Sequence, residues 1–161
     1  QSALDMSGES SRKVIEGMSD IVWSINPEND SFDKIILRMR SLSYHLLNAT
    51  QIEFTFRADE SLDQVKLPME KRRNFYLIFK EVLNNLVKYS RASRASVLLT
   101  WDERYVTCIV RDDGIGFDPG KDAVGNGLKN MRQRAKNIGG RLDIRSEKET
   151  GTQIRLQTKI T

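Results

Sequence analysis

The order of apolar and polar positions along the chain predicts three helices before residue 91. Apolar residues recur at every third or fourth position in residues 10–24 and again in residues 31–48. Asn26-Pro27 separates these two patterns, because the residue before a proline disfavours helical backbone. A longer helical pattern covers residues 70–90. Its apolar face consists of Phe75, Phe79, Val82, Leu83 and Leu86.

Alternation of apolar and polar residues predicts strands elsewhere. One strand is centred on Phe54, and a hairpin is predicted for residues 95–110, with its turn at residues 102–104. A fourth helix is predicted before Gly139-Gly140, and a second hairpin follows it, with its turn at residues 149–151. One strand and two strand pairs with helices between them predict an α+β fold. We expect a two-layer sandwich in which a mixed sheet of about five strands is covered by helices on one face.

Two clusters of glycines flank a short polar loop in the second half of the chain. The first, Asp112-Asp113-Gly114-Ile115-Gly116, follows a predicted strand, and the second, Gly125-Asn126-Gly127-Leu128, opens a predicted helix. Glycine allows a sharp turn and a close approach to a ligand, and a helix that begins on glycines offers free N–H groups to phosphate. A carboxylate at a strand end can accept a hydrogen bond from an exocyclic amine such as that of adenine. For either cluster alone, an ordinary Asp-Gly turn is the alternative.

A polar stripe lies on the long predicted helix, apart from its apolar face. At about 100° per residue, Glu81, Asn85 and Lys88 fall on one side of the helix. An amide oxygen is a hard donor that suits magnesium, which keeps several waters and takes few protein ligands. A carboxylate, an amide and an amine on one stripe therefore fit a magnesium-triphosphate ligand. The alternative is a solvated helix face with an ordinary polar pair.

Four motifs in this order resemble the ATP-binding domain of sensor histidine kinases. They are ExxxNxxKY at residues 81–89, DDGIGF at 112–117, GNGLKNMRQRAKNIGG at 125–140 and ETGTQIRL at 149–156. That domain has the Bergerat-type ATP-binding fold, which gyrase, heat-shock-90 and mismatch-repair ATPases share. The chain looks most like the short-lid subgroup typified by nitrate and lipid-fluidity sensors.

The segment MSDIVWSINPENDSF resembles the connection between dimerisation helices and ATP-binding domain in Bacteroidetes-type sensors. The resemblance covers nearly the whole chain. It implies that residues 1–26 hold the tail of the second dimerisation helix and a hinge. Residues 27–161 would then form the catalytic and ATP-binding domain. Because the chain begins with Gln1 rather than Met, we expect it to be a piece of a longer protein.

The resemblance implies a role for each residue at the adenine end of the site. Asp112 would accept a hydrogen bond from the adenine amino group. Gly114 and Gly116 would let the chain pass under the base. Thr152 would support the adenine through its hydroxyl or a water.

It also implies the residues at the phosphate end. Asn85 would ligate Mg²⁺, Lys88 would contact phosphate, and Tyr89 would flank the nucleotide. Glu81 would act as the base or orient a water, in a reaction that depends mostly on positioning and charge neutralisation. Backbone N–H groups would reach the phosphates from Gly125, Gly127 and Leu128. A short lid, residues 117–124, would cover them.

The implied activity is that of a protein-histidine kinase in a two-component system, with ATP and Mg²⁺ as cofactors. Its partners would be ATP or ADP, its own dimerisation and phosphoacceptor domain, and a response regulator. The chain would be a cytoplasmic portion of a membrane-anchored sensor. The one histidine, His45, is a poor candidate for the phosphoacceptor. In this family an acidic residue follows the phosphoacceptor near the start of its helix, and here Leu46 follows.

Composition narrows the other possibilities. With 161 residues one domain is expected, and 39% hydrophobic with 30% charged residues is ordinary for a soluble globular protein. The net charge of +4 does not indicate nucleic-acid binding, because basic and acidic residues are interspersed and no aromatic residues interleave a basic stripe. No apolar run approaches the length of a membrane span, so we expect no direct membrane contact. The single Cys108 is expected to be a buried apolar residue.

Two other functions are compatible with these motifs. A serine kinase that phosphorylates an anti-sigma partner uses the same ATP-binding fold, although the SINPENDSF segment argues against it. A non-catalytic, nucleotide-binding interaction module is the other alternative. The intact Asn85, Asp112 and glycines argue for nucleotide binding, but they do not distinguish binding from turnover.

Overall fold

The computed structural model of the chain describes residues 22–23, 25–120 and 127–160. Most of the helix predicted at residues 10–24 lies outside this part. Gly125 and the second half of the predicted lid also lie outside it. Among the described residues, no helix is both long enough and apolar enough to cross a membrane.

Three helices of the described chain agree with the predicted pattern. Helix α1 covers Phe32–Leu47, helix α2 covers Met69–Tyr89 and helix α3 covers Gly127–Asn137. Two short 3-10 helices, Pro27–Asn29 and Glu60–Gln64, precede α1 and α2. Proline stands early in the first of these because its fixed φ suits a helix start and it lacks an N–H to leave unpaired.

Five strands form one mixed sheet, which confirms the predicted fold class. The strands are β1 Glu53–Ala58, β2 Arg94–Trp101, β3 Tyr105–Asp112, β4 Arg141–Glu147 and β5 Gly151–Lys159. Their order across the sheet is β1-β2-β3-β5-β4. Strand β1 runs parallel to β2, and the other neighbours are antiparallel. Helix α2 with its flanking loops is therefore the crossover that joins the parallel pair.

The core lies between the helices and one face of this sheet. Phe75 and Phe79 of α2 are almost fully buried, and they pack edge-on against Phe32 and Phe56 respectively. Burying one such side chain contributes roughly 1.5–3 kcal/mol. Cys108 is also buried, as predicted, and burial raises the pKa of its thiol to about 12.

Trp23, which precedes α1 in the chain, packs on helix α2. The ring of Trp23 lies 6.3 Å from that of Tyr76, and the Arg38 guanidinium lies over both rings, at 5.1 Å and 5.8 Å from their centroids. Contacts of this kind between a cation and aromatic faces are worth about 0.5–2 kcal/mol each. Trp23, which precedes α1, is therefore connected to α1 through Arg38 and to α2 through Tyr76.

Candidate functional site

One row of the sheet places three polar side chains side by side. Asp112 pairs with Ala95 on one side and with Thr152 on the other, and Thr152 pairs in turn with Ser146. Residues that pair directly across neighbouring strands point to the same face of a sheet. Ala95 is buried in the core. Asp112, Thr152 and Ser146 therefore lie on the helix-covered face, at one end of their strands.

Asp112 is held by backbone groups in a half-buried position. Its Oδ1 accepts a hydrogen bond from the N–H of Gly114 at 2.9 Å. Burial raises the pKa of the Asp112 carboxyl, and the charge of Asp113 adds to this. Backbone hydrogen bonds from Gly114 and Thr152 act in the opposite direction without cancelling the rise. A carboxylate that is oriented but incompletely satisfied is suited to accept a donor from a ligand.

The neighbouring carboxylate, Asp113, binds backbone groups of the protein itself. Asp113 Oδ1 accepts hydrogen bonds from the backbone N–H groups of Ser93 and Arg94, at 2.8 Å and 2.9 Å. These bonds lower the pKa of the Asp113 carboxyl. Asp113 thus ties the end of β3 to the start of β2, whereas Asp112 retains the capacity to bind a ligand.

Two glycines after Asp112 are required by close backbone contacts. A β-carbon added to Gly114 would lie 2.1 Å from the carbonyl oxygen of Ser90. Gly116 has a φ of +61°, and a β-carbon there would lie 1.9 Å from the carbonyl oxygen of Glu147. The loop therefore passes directly over the end of α2 and the β4–β5 turn, which only glycine permits.

The C-terminus of α2 is fastened to this loop. The Ser90 hydroxyl donates to Leu86 O at 2.6 Å and accepts from Ala92 N at 3.1 Å, which ends the helix. The Ser90 carbonyl accepts from Ile115 N at 2.7 Å. The polar stripe of α2 and the loop after β3 are consequently held in a defined relation.

The start of α3 lies against the polar stripe of α2. A β-carbon added to Gly127 would lie 2.5 Å from Glu81 Oε1 and 3.7 Å from Asn85 Nδ2. The first N–H groups of α3, which have no partner within the helix itself, therefore lie close to a carboxylate and an amide. The site therefore has two poles. One is the row of Asp112, Thr152 and Ser146, and the other is the start of α3 with Glu81 and Asn85.

Two open cavities adjoin these groups. One of 630 Å³ is lined by Asp112, Ser146 and Thr152 together with residues of the β4–β5 turn. The other, of 360 Å³, is lined by Leu128 and by cationic side chains of α3, namely Lys129, Arg132 and Lys136. Pro119 lines both cavities, so they are neighbours. A ligand that spans them would have one end beside the Asp112 carboxylate, in a cavity that Arg111 and Arg145 also line, and the other end beside the cations of α3.

Not every residue predicted for the site lies at one of these two poles. Lys88 and Tyr89 are exposed at the end of α2, and Tyr89 is 63% exposed. Gly125 lies outside the described residues. Glu81, Asn85 and Gly127 come together at one pole, and Asp112, Gly114 and Thr152 at the other.

Sequence reasoning missed two residues that shape the site, Ser90 and Ser146. Ser146 Oγ lies 2.7 Å from Thr152 Oγ1, and Ser90 anchors the glycine loop. A signal for Ser146 depends on the position of a hairpin turn, which was predicted one residue too late, at residues 149–151. Once the turn between β4 and β5 is placed at residues 148–150, counting back across the hairpin sets Ser146 opposite Thr152. Nothing comparable in the sequence indicates Ser90.

Comparison with known families identifies the domain. Residues 70–161 match the family described as "Histidine kinase-, DNA gyrase B-, and HSP90-like ATPase". The matched segment begins in α2 and includes both poles of the site.

Curated relatives with similar sequences are sensor kinases. The chain is 33% identical over 120 residues to the sensor histidine kinase MctS of Rhizobium johnstonii, covering 72% of this chain and 25% of the relative. It is 32% identical over 127 residues to the sensor histidine kinase YdfH of Bacillus subtilis, covering 76% and 30%. It is 39% identical over 88 residues to the signal transduction histidine-protein kinase/phosphatase UhpB of Salmonella typhimurium, covering 53% and 17%. The chain thus spans less than a third of the length of each of these relatives.

Solved structures share the fold. The blue-light activated histidine kinase of Erythrobacter litoralis superposes over 99% of this chain and 52% of its own, with a TM-score of 0.74 and 22% identity. The histidine kinase AdeS of Acinetobacter baumannii superposes over 99% and 83%, with a TM-score of 0.69 and 12% identity. The family match over more than half of the chain shows that the chain belongs to the histidine kinase-, DNA gyrase B- and HSP90-like ATPase family. With its sensor-kinase relatives, it is an ATP-binding catalytic domain of the histidine kinase type.

Proposed function

We propose that this chain is the catalytic part of a two-component sensor histidine kinase that transfers the γ-phosphate of ATP to a histidine on an upstream dimerisation helix. The observation that carries the proposal is the two-pole site, in which an oriented carboxylate faces one cavity and a helix start meets a carboxylate and an amide at the other pole. A nucleoside triphosphate has matching poles, a base with an exocyclic amine and a chain of phosphates.

At the base pole, Asp112 would accept a hydrogen bond from the adenine amino group. Its raised pKa marks a carboxylate whose burial is not offset by its backbone donors, so an added donor would be favourable. Thr152 is its cross-strand neighbour and would contact the base through its hydroxyl or a water. Gly114 and Gly116 would let the backbone lie close beneath the base.

At the phosphate pole, Asn85 would hold Mg²⁺ with its amide oxygen. The chemistry fits, because magnesium takes hard oxygen donors and is usually held by few protein ligands together with substrate phosphates. When bound, the ion would neutralise charge on the phosphates. The N–H groups at Gly125, Gly127 and Leu128 would also bind phosphate oxygens. Lys88 and the cationic side chains of α3 would supply further positive charge, and Tyr89 would flank the nucleotide.

Glu81 would orient the attacking group or accept its proton. Its carboxylate lies beside the start of α3, where the phosphates would end. Phosphoryl transfer needs alignment and charge neutralisation more than covalent chemistry from the protein. A positioned carboxylate next to a magnesium ligand satisfies this need.

The first test is titration of the domain with ATP at a fixed Mg²⁺ concentration and without Mg²⁺. We expect binding of about −6 to −8 kcal/mol with Mg²⁺. Asn85→Ala should remove most of the gain that Mg²⁺ gives, because the amide ligand is lost. Glu81→Gln is the matched control from the same stripe and should keep that gain. No binding at millimolar ATP, or equal losses in both variants, would contradict the proposal.

We expect that this chain does not phosphorylate itself. His45 is an exposed residue of α1, followed by Leu46 rather than by a carboxylate that could hold the ring. Transfer depends on close alignment of the acceptor with the γ-phosphate. Incubation with γ-labelled ATP should leave no acid-labile phosphate on the chain. Label that disappears in His45→Gln would make His45 the acceptor and overturn this prediction.

The same assay separates the alternative functions. Acid-stable phosphate on a supplied serine substrate would favour an anti-sigma type serine kinase. Binding of ATP without transfer to a supplied dimerisation helix pair would favour a non-catalytic module. The matched family, and relatives that are named sensor histidine kinases, support histidine kinase activity rather than either of these alternatives.

Finer features of this proposal follow from the resemblance. Residues 1–26 would be the tail of the second dimerisation helix and its hinge, and residues 27–161 the catalytic domain. The packing of Trp23 on Tyr76 supports a hinge docked on the domain. The chain would belong to the short-lid nitrate- and lipid-sensor subgroup of Bacteroidetes-type sensors. It would act in the cytoplasm on its own dimerisation domain and, through it, on a response regulator.

A further inference from the structure

The hydroxyl of Ser146 makes three polar contacts at the edge of the base pole. Its Oγ lies 2.7 Å from Thr152 Oγ1 and 3.2 Å from the carbonyl oxygen of Gly151, and it accepts a hydrogen bond from Phe117 N at 2.9 Å. Ser146 is half-buried and lines the larger cavity together with Asp112. It therefore touches the proposed base-binding hydroxyl and the first residue of the lid at once.

A count of donors and acceptors decides the direction of these bonds. A serine hydroxyl has one hydrogen to donate and two lone pairs to accept. The Phe117 N–H occupies one lone pair. If Ser146 donates to Gly151 O and accepts from Thr152, all three contacts become hydrogen bonds. If Ser146 donates to Thr152 instead, its contact with Gly151 O has no hydrogen. The first arrangement satisfies more groups, so the Thr152 hydroxyl donates to Ser146.

This direction determines what Thr152 offers to a ligand. With its hydrogen directed to Ser146, the Thr152 hydroxyl presents only lone pairs to the cavity. Its neighbour Asp112 is also an acceptor when ionised. The side chains of Asp112 and Thr152 would then both act only as hydrogen-bond acceptors toward the base.

We propose that Ser146 is a positioning residue that makes Thr152 a hydrogen-bond acceptor and thereby selects 6-aminopurine over 6-oxopurine nucleotides. This inference rests on the proposed binding of adenine at Asp112 and Thr152. The adenine amino group at C6 has two hydrogens, and Asp112 and its cross-strand neighbour Thr152 would each accept one of them. Hypoxanthine presents a carbonyl acceptor there, and two facing acceptors leave each other unpaired in a half-buried site. Without Ser146, the Thr152 hydroxyl can rotate and donate to that carbonyl.

The experiment is a double-mutant cycle on the wild-type domain, Ser146→Ala, Thr152→Val and the double variant. Affinities for Mg-ATP and Mg-ITP are measured for each protein, because these nucleotides differ only at C6, where ITP has a carbonyl, and at N1, where ITP has an N–H. We expect the wild type to prefer ATP, and Ser146→Ala to reduce the ATP-to-ITP affinity ratio by about three- to tenfold, the value of one hydrogen bond. In the Thr152→Val background, Ser146→Ala should leave the ratio unchanged.

Loss of the Phe117 contact alone would weaken both nucleotides by the same factor and would not move the ratio. An unchanged ratio in Ser146→Ala would therefore overturn the proposal. A ratio that rises in Ser146→Ala would place Thr152 at N1 and would also overturn the proposal. A ratio that falls equally with and without the Thr152 hydroxyl would show that Ser146 does not act through Thr152, and would also overturn it. Failure of the wild type to bind ATP is a separate outcome, which contradicts the adenine site itself and this role with it.

Discussion

Asp112→Asn should bind Mg-ATP about 10- to 100-fold more weakly than the wild type, which corresponds to the loss of one hydrogen bond to a charged group. The asparagine oxygen can still accept from the N–H of Gly114, as the carboxylate does now. Its amide nitrogen would then face the adenine amine, and two donors would meet where a donor and an acceptor met before.

The same substitution should raise the melting temperature of the nucleotide-free domain. The pKa of Asp112 is raised, chiefly by burial, so the folded protein holds a proton more tightly at this carboxyl than the unfolded chain does. Between the ordinary aspartate pKa and the raised one, stability therefore falls as the pH rises, and above that window the ionised group destabilises the fold. Asparagine removes this charge. We also expect ATP affinity of the wild type to fall as the pH drops through the raised pKa, because the protonated group is a weaker acceptor.

Asp113→Asn is the matched control, one residue away and with the opposite expected effect on stability. The pKa of Asp113 is lowered by hydrogen bonds from the backbone of Arg94 and Ser93. Its stabilising contribution is present above the ordinary aspartate pKa and is lost as the pH falls through the lowered one. This variant should therefore melt at a lower temperature near neutral pH and keep most of its ATP affinity. Thermal melts and ATP titrations of both variants check this. If melting temperature and ATP affinity changed in the same direction in both variants, Asp112 and Asp113 would not have the separate roles proposed here.

Gly114→Ala should destabilise the domain by about 1–3 kcal/mol or more and abolish ATP binding at concentrations that saturate the wild type. The new methyl group would lie 2.1 Å from the Ser90 carbonyl oxygen, which is backbone and cannot rotate away. Relief of this clash requires that the loop moves off the end of α2. Such a movement also displaces Asp112, whose Oδ1 is held by the Gly114 N–H.

Gly120→Ala tests the same change in the same loop without the clash. Among the described residues, the nearest atom to its added β-carbon would be Asp118 Oδ1, at 3.4 Å, the end of a half-buried side chain rather than backbone. Chemical denaturation and ATP titration should show this variant within about 0.5 kcal/mol of the wild type in stability. Equal losses in the two alanine variants would mean that glycine flexibility, and not the close approach at Gly114, matters.

Helices and strands of this domain were predictable because each has one apolar face. Helix α2 was expected at residues 70–90 and is found at Met69–Tyr89. All five residues of its predicted apolar face are buried, but so are four residues outside that face, Arg72, Asn74, Tyr76 and Ile78. The first hairpin turn was predicted at residues 102–104 and is found there. The second was predicted at residues 149–151 and lies one residue earlier, at 148–150, because Gly151 already pairs with Glu147. No local pattern predicts the parallel pairing of β1 with β2, because pairing depends on contacts between residues far apart in the chain.

Site residues were predictable where a motif restricts the backbone. The glycines of DDGIGF are required by contacts with Ser90 and with the β4–β5 turn, so their spacing is informative even without the partners. The choice between Asp112 and Asp113 came from the resemblance to a family. The structure supplies a physical reason for it, since Asp113 is already occupied by backbone N–H groups.

By itself, the sequence determined the elements, the α+β class and the glycine loops that a nucleotide site needs, because these depend on periodicity and on local backbone freedom. Only the tertiary structure decided which of these residues meet. It set Gly127 against Glu81, and it placed Ser146 beside Thr152 and Asp112 in one row of the sheet. The direction proposed for the hydroxyl bonds in that row depends on which groups lie within hydrogen-bond distance of Ser146, and a linear pattern of residue types does not contain that information.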